Sequence, residues 1–313
     1  MSVDCFASAE GTASQRSLGG CLCCGAEDLY RETTVISPFL AKRAMCREPE
    51  LTRIVFCQSC GLRFFDRGLS DTEASRYYQD YRSTAYCFER NREEPFYTRR
   101  AHRQIASWLA SAPRRAALAA ALAAHGAPAH FDAVLDFGGG DGTLISELPC
   151  VERAVFDLTD AAPIGGIGRV NEGSRGLRPW NLIVCAQTLE HASSPRGLVV
   201  TMAHLLAPQG WLYLEVPDEM WCNRTLAGST RDRWLRWLVG RRRILMAADT
   251  LSTACRIVLG FLPPFGFIPM REHLQYFTEQ ALSALVRRSG LQLAGCGRNA
   301  VGQIYAVATK VLP

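Results

Sequence analysis

The stretch VLDFGGGDGTL, residues 134–144, places three consecutive glycines directly after an apolar run. Glycine loses more backbone freedom on folding than any other residue and adds no side chain to a core, so packing does not explain this run. Glycine does permit positive φ angles, and without a Cβ atom its backbone can approach a ligand closely. The stretch therefore predicts a ligand-binding bend at the end of a strand.

Three ligand-binding designs use such a bend, and the sequence distinguishes between them. A phosphate-binding P-loop would end in Gly-Lys-Ser/Thr, which this stretch lacks. A dinucleotide fingerprint GxGxxG begun at Gly138 would need glycine where Thr143 stands. What remains is an acidic residue followed by alternating glycines, with Asp136, Gly138, Gly140 and Gly142 as candidate cofactor-binding residues.

A second acidic residue, Asp157, lies near the end of the next apolar run, RAVFDL (153–158). About twenty residues separate it from the bend, which is the spacing at which a carboxylate in α/β folds accepts hydrogen bonds from a ribose diol. Together the bend and Asp157 predict a site for a cofactor that contains ribose.

Short apolar runs alternate with helical patterns in the second half of the chain. This alternation predicts an α/β fold, a Rossmann-like doubly wound parallel sheet with helices on both faces. The predicted strands span residues 133–137, 153–158, 181–189 and 210–217, followed by two runs, LQLAGCGRN and QIYAVATKV, that should form an antiparallel pair.

Several helices are indicated by their end signals. A helix between the third and fourth strands is expected to close at Pro208 and Gly210, and another begins at Thr278 and stops at Gly290. Nearer the N-terminus, Ser70 or Asp71 is expected to cap a helix, and a helical region from Pro95 to about Ala124 is expected to break at Pro113. Tyrosines 77, 78, 81 and 86 are typical of helix packing, with contact to the cofactor as the alternative.

The cysteines form a second pattern. Two segments, CLCCG and CQSCG, each contain Cys-x-x-Cys followed by glycine, and two such pairs supply four thiolates for a tetrahedral structural zinc. The predicted ligands are Cys21, Cys24, Cys57 and Cys60. Cys23 is the surplus thiol by spacing, although Cys21 or Cys24 could trade places with it.

Composition narrows the class of protein. The chain is 48% hydrophobic and 21% charged, which is typical of a globular protein. Its formal net charge of +5 is too small to call for a nucleic-acid partner. The first residues do not resemble a secretory signal, so we expect a reducing, cytoplasmic location. Charged residues and prolines interrupt the apolar stretch 244–270, which argues against a transmembrane helix.

Four motifs carry a resemblance to a known family: VLDFGGGDGTL, VFDLTD, NLIVCAQTLEHASSPRGLV and LLAPQGWLYLEVPDE. They resemble the successive motifs of class I S-adenosylmethionine-dependent methyltransferases. The resemblance implies that the three alternate glycines and Gln187 line the cofactor and that Asp157 binds its ribose. The usual acidic residue near the adenine is missing, and only Asn171 or Glu172 is available there.

The cysteine pairs that precede these motifs point to one group of enzymes within this family. The chain is similar to zinc-containing sugar C-methyltransferases of antibiotic biosynthesis and their shorter relatives. In that group a Glu-His pair after the fourth strand serves the active site, and Glu190-His191 matches it here. Histidine titrates near neutral pH, so His191 suits the role of general base, with His273 as the second candidate. The pair could instead cap the following helix.

We therefore expect methyl transfer to a small-molecule acceptor, a sugar or a secondary-metabolite intermediate, assisted by a general base. A non-catalytic cofactor-binding protein and a nucleic-acid methyltransferase that docks through its zinc module are the alternatives.

A basic, tryptophan-containing run in the insertion is expected to be a solvated face, with peripheral membrane contact through 231–270 as the less favoured interpretation. The predicted divisions are a flexible N-terminus (1–20), a zinc-knuckle module (21–68), a helical linker (69–128) and a methyltransferase domain (129–313) with an insertion (218–272).

Overall fold

The computed structural model describes residues 19–159, 161–171, 178–223 and 228–311. The predicted flexible N-terminus lies almost wholly outside these ranges. Across the described ranges, we find no helix that combines the length and the apolarity required to cross a membrane.

A small antiparallel sheet is built mainly from the N-terminal part of the chain. Helix α1 (Pro38–Met45) joins its first two strands and is capped by Ser37, whose side chain accepts a hydrogen bond from the Leu40 amide. A two-residue strand from the C-terminal half pairs with the third strand and completes the sheet. The strands, in spatial order, are β1 (Leu29–Val35), β2 (Leu51–Cys57), β3 (Arg63–Phe65) and β11 (Gln275–Tyr276).

Four helices connect this sheet to the rest of the molecule. Ser70 forms a capping box with Glu73 at the start of the first, which confirms Ser70 rather than Asp71 as the cap. Pro113 lies in the first turn of the last, where a missing amide costs no hydrogen bond, so the helical region divides just before it, at residues 110–111. The helices are α2 (Asp71–Tyr78), α3 (Thr84–Glu93), α4 (Arg99–Leu109) and α5 (Ala112–Ala124).

The second half of the chain forms a seven-stranded sheet of order β12-β13-β8-β7-β4-β5-β6. Strands β4 to β8 run parallel, while β13 is antiparallel to both of its neighbours, β8 and β12. The predicted α/β fold class and the predicted antiparallel C-terminal pair are both confirmed. The strands are β4 (Phe131–Phe137), β5 (Cys150–Phe156), β6 (Gly168–Arg169), β7 (Trp180–Ala186), β8 (Leu206–Val216), β12 (Gln292–Arg298) and β13 (Ile304–Thr309).

Helices cover both faces of this sheet, which explains why its central strands are continuously apolar. On one face, helices α6 (Pro195–Leu205) and α9 (Glu279–Arg288) pack against Leu135 and Ile183. On the other, α5 packs against Val134. Successive residues of β4 thus belong to different cores, as the alternation of side chains along a strand requires.

The helix before β8 ends earlier than the sequence predicts. Pro208 and Gly210 were expected to close it, but α6 ends at Leu205 and both residues lie inside β8. Leu206 already pairs with Trp180 of β7, and a side chain at Gly210 would crowd the Trp180 carbonyl oxygen. Tertiary pairing with β7 therefore turns an apparent helix stop into the irregular start of a strand.

The insertion consists of two helices framed by two short paired strands. Its helices pack on the outer side of β1 around Val35, Leu235, Leu238, Leu245 and Phe267. The insertion therefore lies against the small N-terminal sheet. Its elements are β9 (Cys222–Asn223), α7 (Ser229–Val239), α8 (Arg242–Leu259) and β10 (Phe261–Leu262).

Candidate active site

The glycine bend follows β4, and its first two glycines each have a steric reason. Gly138 has φ +78°, and a Cβ there would overlap the Thr188 side chain. A Cβ at Gly139 would overlap the carboxyl group of Asp136. Gly140 differs, because a Cβ built on it meets no described atom within 4 Å. Its backbone faces open space, which is the arrangement expected where a ligand lies against bare peptide.

That open space is a cavity of about 400 Å³ at the carboxyl ends of the parallel strands. Loops after β4, β5 and β7 form one side, and helices α2, α4 and α5 contribute the other. Parallel α/β sheets bind ligands at this edge. The residues that carry the chemistry of the lining are Tyr78, Tyr81, Arg82, Arg114, Asp136, Gly138, Gly140, Asp141, Asp157, Thr159, Gln187, Thr188 and His191.

Asp157 follows the last residue of β5 and lines the cavity. Its Oδ2 accepts a hydrogen bond of 2.8 Å from the Gly140 amide. Its Oδ1 accepts bonds from the amide and hydroxyl of Thr159, at 2.7 and 2.6 Å. The carboxylate therefore fixes the glycine bend, and Oδ2, which accepts one of these bonds, keeps a lone pair for a further donor such as a ribose hydroxyl.

Asp136, by contrast, is almost fully buried at the cavity wall, and among the described residues its Oδ2 has no hydrogen-bond partner. Burial raises the pKa of Asp136 to about 7, the Arg114 guanidinium opposes the rise, and the neighbouring carboxylates of Asp157 and Asp141 add to it. An unpartnered buried carboxylate is costly unless a ligand completes it.

A buried network supports Gln187, which has φ +57° and lines the cavity. Its Nε2 donates to Gln303 Oε1 at 3.1 Å and approaches Glu215 Oε1 at 3.4 Å. Arg114 donates to the same Glu215 oxygen from Nε and Nη2, at 3.1 and 3.0 Å. Sequence analysis missed both members of this ion pair, although a glutamate inside the apolar run LYLEVP was a readable signal for Glu215.

Glu190, His191 and His273 come together beside the cavity, with ligand atoms all within 4.8 Å of one another. His191 Nε2 lies 3.7 Å from Glu190 Oε1, and the two imidazole ring centres are 4.8 Å apart. The His191 Nδ1 lies 2.9 Å from the Glu272 carbonyl oxygen, so this nitrogen carries the proton and Nε2 keeps a lone pair. His273 Nδ1 contacts a Glu219 carboxylate oxygen at 2.7 Å.

The two histidines have opposite charge preferences. Burial, with the positive charge of His273 nearby, lowers the pKa of His191 to about 3, so this imidazole is neutral at pH 7. The prediction that His191 titrates near neutral pH is therefore wrong, and its case as a base rests on its position and its available lone pair. Burial also opposes a charge on His273, but the Glu219 carboxylate outweighs it and raises the pKa of His273 to about 9. A protonated imidazole must release its proton before it can bind a metal ion, and the Glu219 carboxylate favours the protonated form of His273.

Burial raises the pKa of Glu190 to about 7, and the charge of His273 opposes this rise. Both Glu190 carboxylate oxygens lack a hydrogen-bond partner among the described residues. Glu190 lies 3.7 Å from Nε2 of His191. Because its carboxylate oxygens have no hydrogen-bond partner among the described residues, Glu190 can accept a proton that Nε2 has taken up or stabilise the charged imidazolium.

Some of the predicted site residues line the cavity and others do not. Asp136, Gly138, Gly140, Asp157, Gln187 and His191 line it. Gly142 is outside the lining and lies against Ile167. Glu190 and His273 are also outside the lining, next to His191. Of the two residues considered for the adenine contact, Asn171 is outside the lining and Glu172 is outside the described residues.

Two tyrosines of the predicted cluster, Tyr78 and Tyr81, also line the cavity. The other two, Tyr77 and Tyr86, are buried in a core and bond to each other at 2.9 Å.

A sequence profile described as a methyltransferase domain matches residues 97–294, more than half of the chain. The chain belongs to the methyltransferase-domain family. The protein is therefore an S-adenosylmethionine-dependent methyltransferase. No curated protein matches the sequence significantly.

Three solved structures with similar folds are distant in sequence. Human N-acetylserotonin methyltransferase in complex with SAM is 15% identical over 75% of this chain and 59% of that chain, with a TM-score of 0.43. A SAM-dependent methyltransferase from Aquifex aeolicus is 13% identical over 64% and 94%, with a TM-score of 0.37. The N-methyltransferase NodS from Bradyrhizobium japonicum is 16% identical over 64% and 94%, with a TM-score of 0.35. The family assignment rests on the profile match, and not on these likenesses.

The cysteine pairs of this methyltransferase meet in space. The sulfur atoms of Cys21, Cys24, Cys57 and Cys60 all lie within 4.8 Å of one another. Cys21 and Cys60 sulfurs are 3.6 Å apart, and Cys24 and Cys57 sulfurs 3.5 Å. Cys23 is fully buried in the neighbouring core and is not part of this cluster.

Both knuckles are tight turns closed by glycine. The amide of Gly25 bonds to the Cys21 carbonyl oxygen and that of Gly61 to the Cys57 carbonyl oxygen, at 2.9 and 3.0 Å, and both glycines have positive φ. Helix α9 holds the knuckles from outside. Thr278 Oγ1 donates to the Cys60 carbonyl oxygen at 2.5 Å, and Arg288 to that of Cys23 at 3.1 Å.

Proposed function

We propose that this methyltransferase acts on a small-molecule acceptor, a sugar or a secondary-metabolite intermediate, with His191 as the general base. One observation carries the proposal: a neutral imidazole with a free Nε2 lone pair lines the same cavity as the glycine bend. The similarity of the cysteine and Glu-His motifs to zinc-containing sugar C-methyltransferases supports the choice of acceptor class.

The residues of the cavity fit S-adenosylmethionine, which when bound supplies an electrophilic methyl group. Asp157 would accept hydrogen bonds from its ribose hydroxyls, and the bare backbone of Gly140 would lie against it. The unpartnered carboxylate of Asp136 suits the positive charge that this cofactor carries. Gln187, held by Gln303 and Glu215, would supply polar contacts from the β7 side.

His191 would remove the acceptor proton at Nε2. The Glu272 carbonyl fixes the tautomer and the ring orientation and so leaves the Nε2 lone pair available to accept a proton. An imidazolium at this buried position would be unfavourable beside charged His273, so the negative charge of Glu190 is needed to balance it. We therefore assign Glu190 a positioning and charge-balancing role and His273 a fixed positive charge paired with Glu219.

We further propose that the four clustered cysteines hold a structural zinc ion. A tetrahedral zinc–thiolate site has Zn–S bonds of about 2.3 Å, which places its sulfurs about 3.8 Å apart. The sulfur separations of 3.5 and 3.6 Å fit this requirement. All four positions of such a site would be filled by sulfur, leaving none for substrate, so the ion would act on folding and not on the reaction.

Replacing Asp157 with alanine should weaken binding of S-adenosylhomocysteine about tenfold to a hundredfold, since hydrogen bonds to a charged acceptor contribute about 1.5–3 kcal/mol. Titration calorimetry with the purified chain measures the effect. Asp132→Ala, on the exposed side of β4, is the matched control and should bind as the wild type does. Equal affinity of Asp157→Ala and wild type would remove Asp157 from the cofactor site.

Affinity for S-adenosylhomocysteine should rise with pH as Asp136 ionises. With a pKa of about 7, the ionised fraction increases about eightfold between pH 6 and 7.5, and the ionised carboxylate attracts the ammonium group of the ligand. The charged groups that face Asp136 are Arg114, Asp141, Asp157 and Glu215. Because Glu190 also titrates near pH 7, Asp136→Asn is the control and should flatten the profile. A profile unchanged by Asp136→Asn would contradict the assignment.

A further inference from the structure

Helix α8 shows the reverse of the usual amphipathic arrangement. Its buried positions are Leu245, Asp249, Ser252 and Thr253, so most of the side chains that face the protein are polar. Its large apolar side chains point to solvent: Ile244, Leu251, Ile257, Val258 and Leu259 are exposed by 42, 62, 68, 78 and 58%. A surface helix of a globular protein normally buries its apolar stripe and exposes its polar one.

The polar inner face of α8 is explained by its contacts. Asp249 accepts a hydrogen bond of 2.5 Å from Arg271, whose Nε also bonds to Glu94 at 2.9 Å. Arg271 directly precedes Glu272, whose carbonyl oxygen orients His191. The inner face therefore supports the active site, whereas the exposed apolar side chains are not covered by any of the described residues.

Three of these exposed apolar residues, with two alanines, form one continuous stripe. Ile244, Leu251 and Val258 are seven residues apart and so lie on the same side of the helix, with exposed Ala247 and Ala254 between them. At 1.5 Å per residue the stripe is about 21 Å long. We use the name α8 outer face for Ile244, Ala247, Leu251, Ala254 and Val258. A contiguous apolar surface of this kind marks an interaction site more often than a solvated one.

Cationic and aromatic side chains border the N-terminal end of the stripe. Arg233, Arg236, Arg241 and Arg243 are exposed, and none of them forms an ion pair with a described residue. Arg241 lies 4.3 Å over the ring of half-exposed Trp237. Residues 228–262 contain two acidic side chains, Asp232 and the buried Asp249. The exposed charge of this region is therefore strongly positive.

We propose that the α8 outer face, together with these arginines, docks the protein on an anionic membrane surface. An apolar stripe edged by arginine and tryptophan matches the acyl boundary and the charged headgroups of such a surface. A second copy of the chain fits less well, because two α7–α8 pairs would bring arginines together without acidic partners. Docking through this face is independent of the acceptor proposed above.

Co-sedimentation with vesicles tests the proposal. The full chain should bind vesicles of phosphatidylcholine containing phosphatidylglycerol, bind pure phosphatidylcholine vesicles about tenfold more weakly, and dissociate as salt increases. The double variant Leu251→Glu/Val258→Glu should lose binding by about tenfold or more while keeping its affinity for S-adenosylhomocysteine. Val151→Glu is the matched control, because Val151 is 75% exposed on β5, outside α7 and α8, and should bind vesicles as the wild type does.

Two results would overturn the proposal. One is equal sedimentation of the wild type and the double variant with anionic vesicles. The other is a dimer, measured by light scattering, that the double variant dissociates, which would make a second copy of the chain the occupant of the α8 outer face.

Discussion

His191→Ala should lower kcat by about a hundredfold to ten-thousandfold, the range over which a positioned general base contributes. The physical reason is that Nε2 of this neutral imidazole is the only lone pair of the Glu190–His191–His273 group that both lines the cavity and is oriented by a fixed Nδ1–H bond. The measurement is release of S-adenosylhomocysteine from S-adenosylmethionine, with a panel of sugars and secondary-metabolite intermediates as the acceptors.

His204→Ala is the control for this prediction, because His204 is exposed near the end of α6. Calorimetry with S-adenosylhomocysteine should show that both variants retain the cofactor site. Full turnover by His191→Ala would end its assignment as the base. A loss of turnover in His273→Ala alone would move the role to the second histidine.

The double substitution Cys24→Ser/Cys60→Ser should abolish zinc binding and unfold much of the chain. Metal sites of this type contribute about 10–16 kcal/mol in isolated zinc-finger peptides, comparable to the whole stability of a domain at about 5–15 kcal/mol. Cys21, Cys23, Cys57 and Cys60 share one core with Phe277, Leu282 and other residues that pack on the large sheet. The damage should therefore extend beyond the N-terminal segment.

Metal analysis of the purified proteins and thermal unfolding followed by circular dichroism measure this effect. Cys46→Ser is the control, because Cys46 is exposed and outside the cluster. If the double variant is insoluble, dialysis of the wild-type protein against a chelator gives the same comparison, with a fall in Tm expected as zinc is removed. Unchanged zinc content in the double variant, or a Tm that does not respond to zinc removal, would refute the site.

The fold could be predicted because its strongest signals are local. Buried parallel strands such as β4 and β7 are short continuous apolar runs, and the stops between them are glycine and proline. The end of α6 was missed because Pro208 and Gly210 are stops by local rules, whereas pairing of Leu206 with Trp180 is a tertiary contact. The pairing of β11 with β3 is a contact of the same long-range kind.

The residues of the candidate site also fall into two groups, those that local sequence signals reveal and those that only tertiary contacts bring to the site. Asp136, Gly140, Asp157 and His191 all follow or end parallel strands, so topology alone brings them to one edge of the sheet. Residues contributed by helices were harder to find, and Arg114 of α5 is an example. It reaches the cavity only because Glu215, in a strand about a hundred residues later, fixes its guanidinium.

The two histidines show a further limit of prediction from the sequence. His191 and His273 have the same ordinary pKa, and nothing local separates their roles. Their environments do so, because burial keeps the first neutral while Glu219 keeps the second charged.

A crystal structure of the full chain with S-adenosylhomocysteine is the most direct measurement. The account predicts the ribose hydroxyls within hydrogen-bond distance of the Asp157 carboxylate, the ligand against the Gly140 backbone, and the sulfur atom on the side of the cavity that His191 lines. A ligand bound elsewhere, or a ribose that makes no contact with Asp157 while the cavity stays empty, would contradict it.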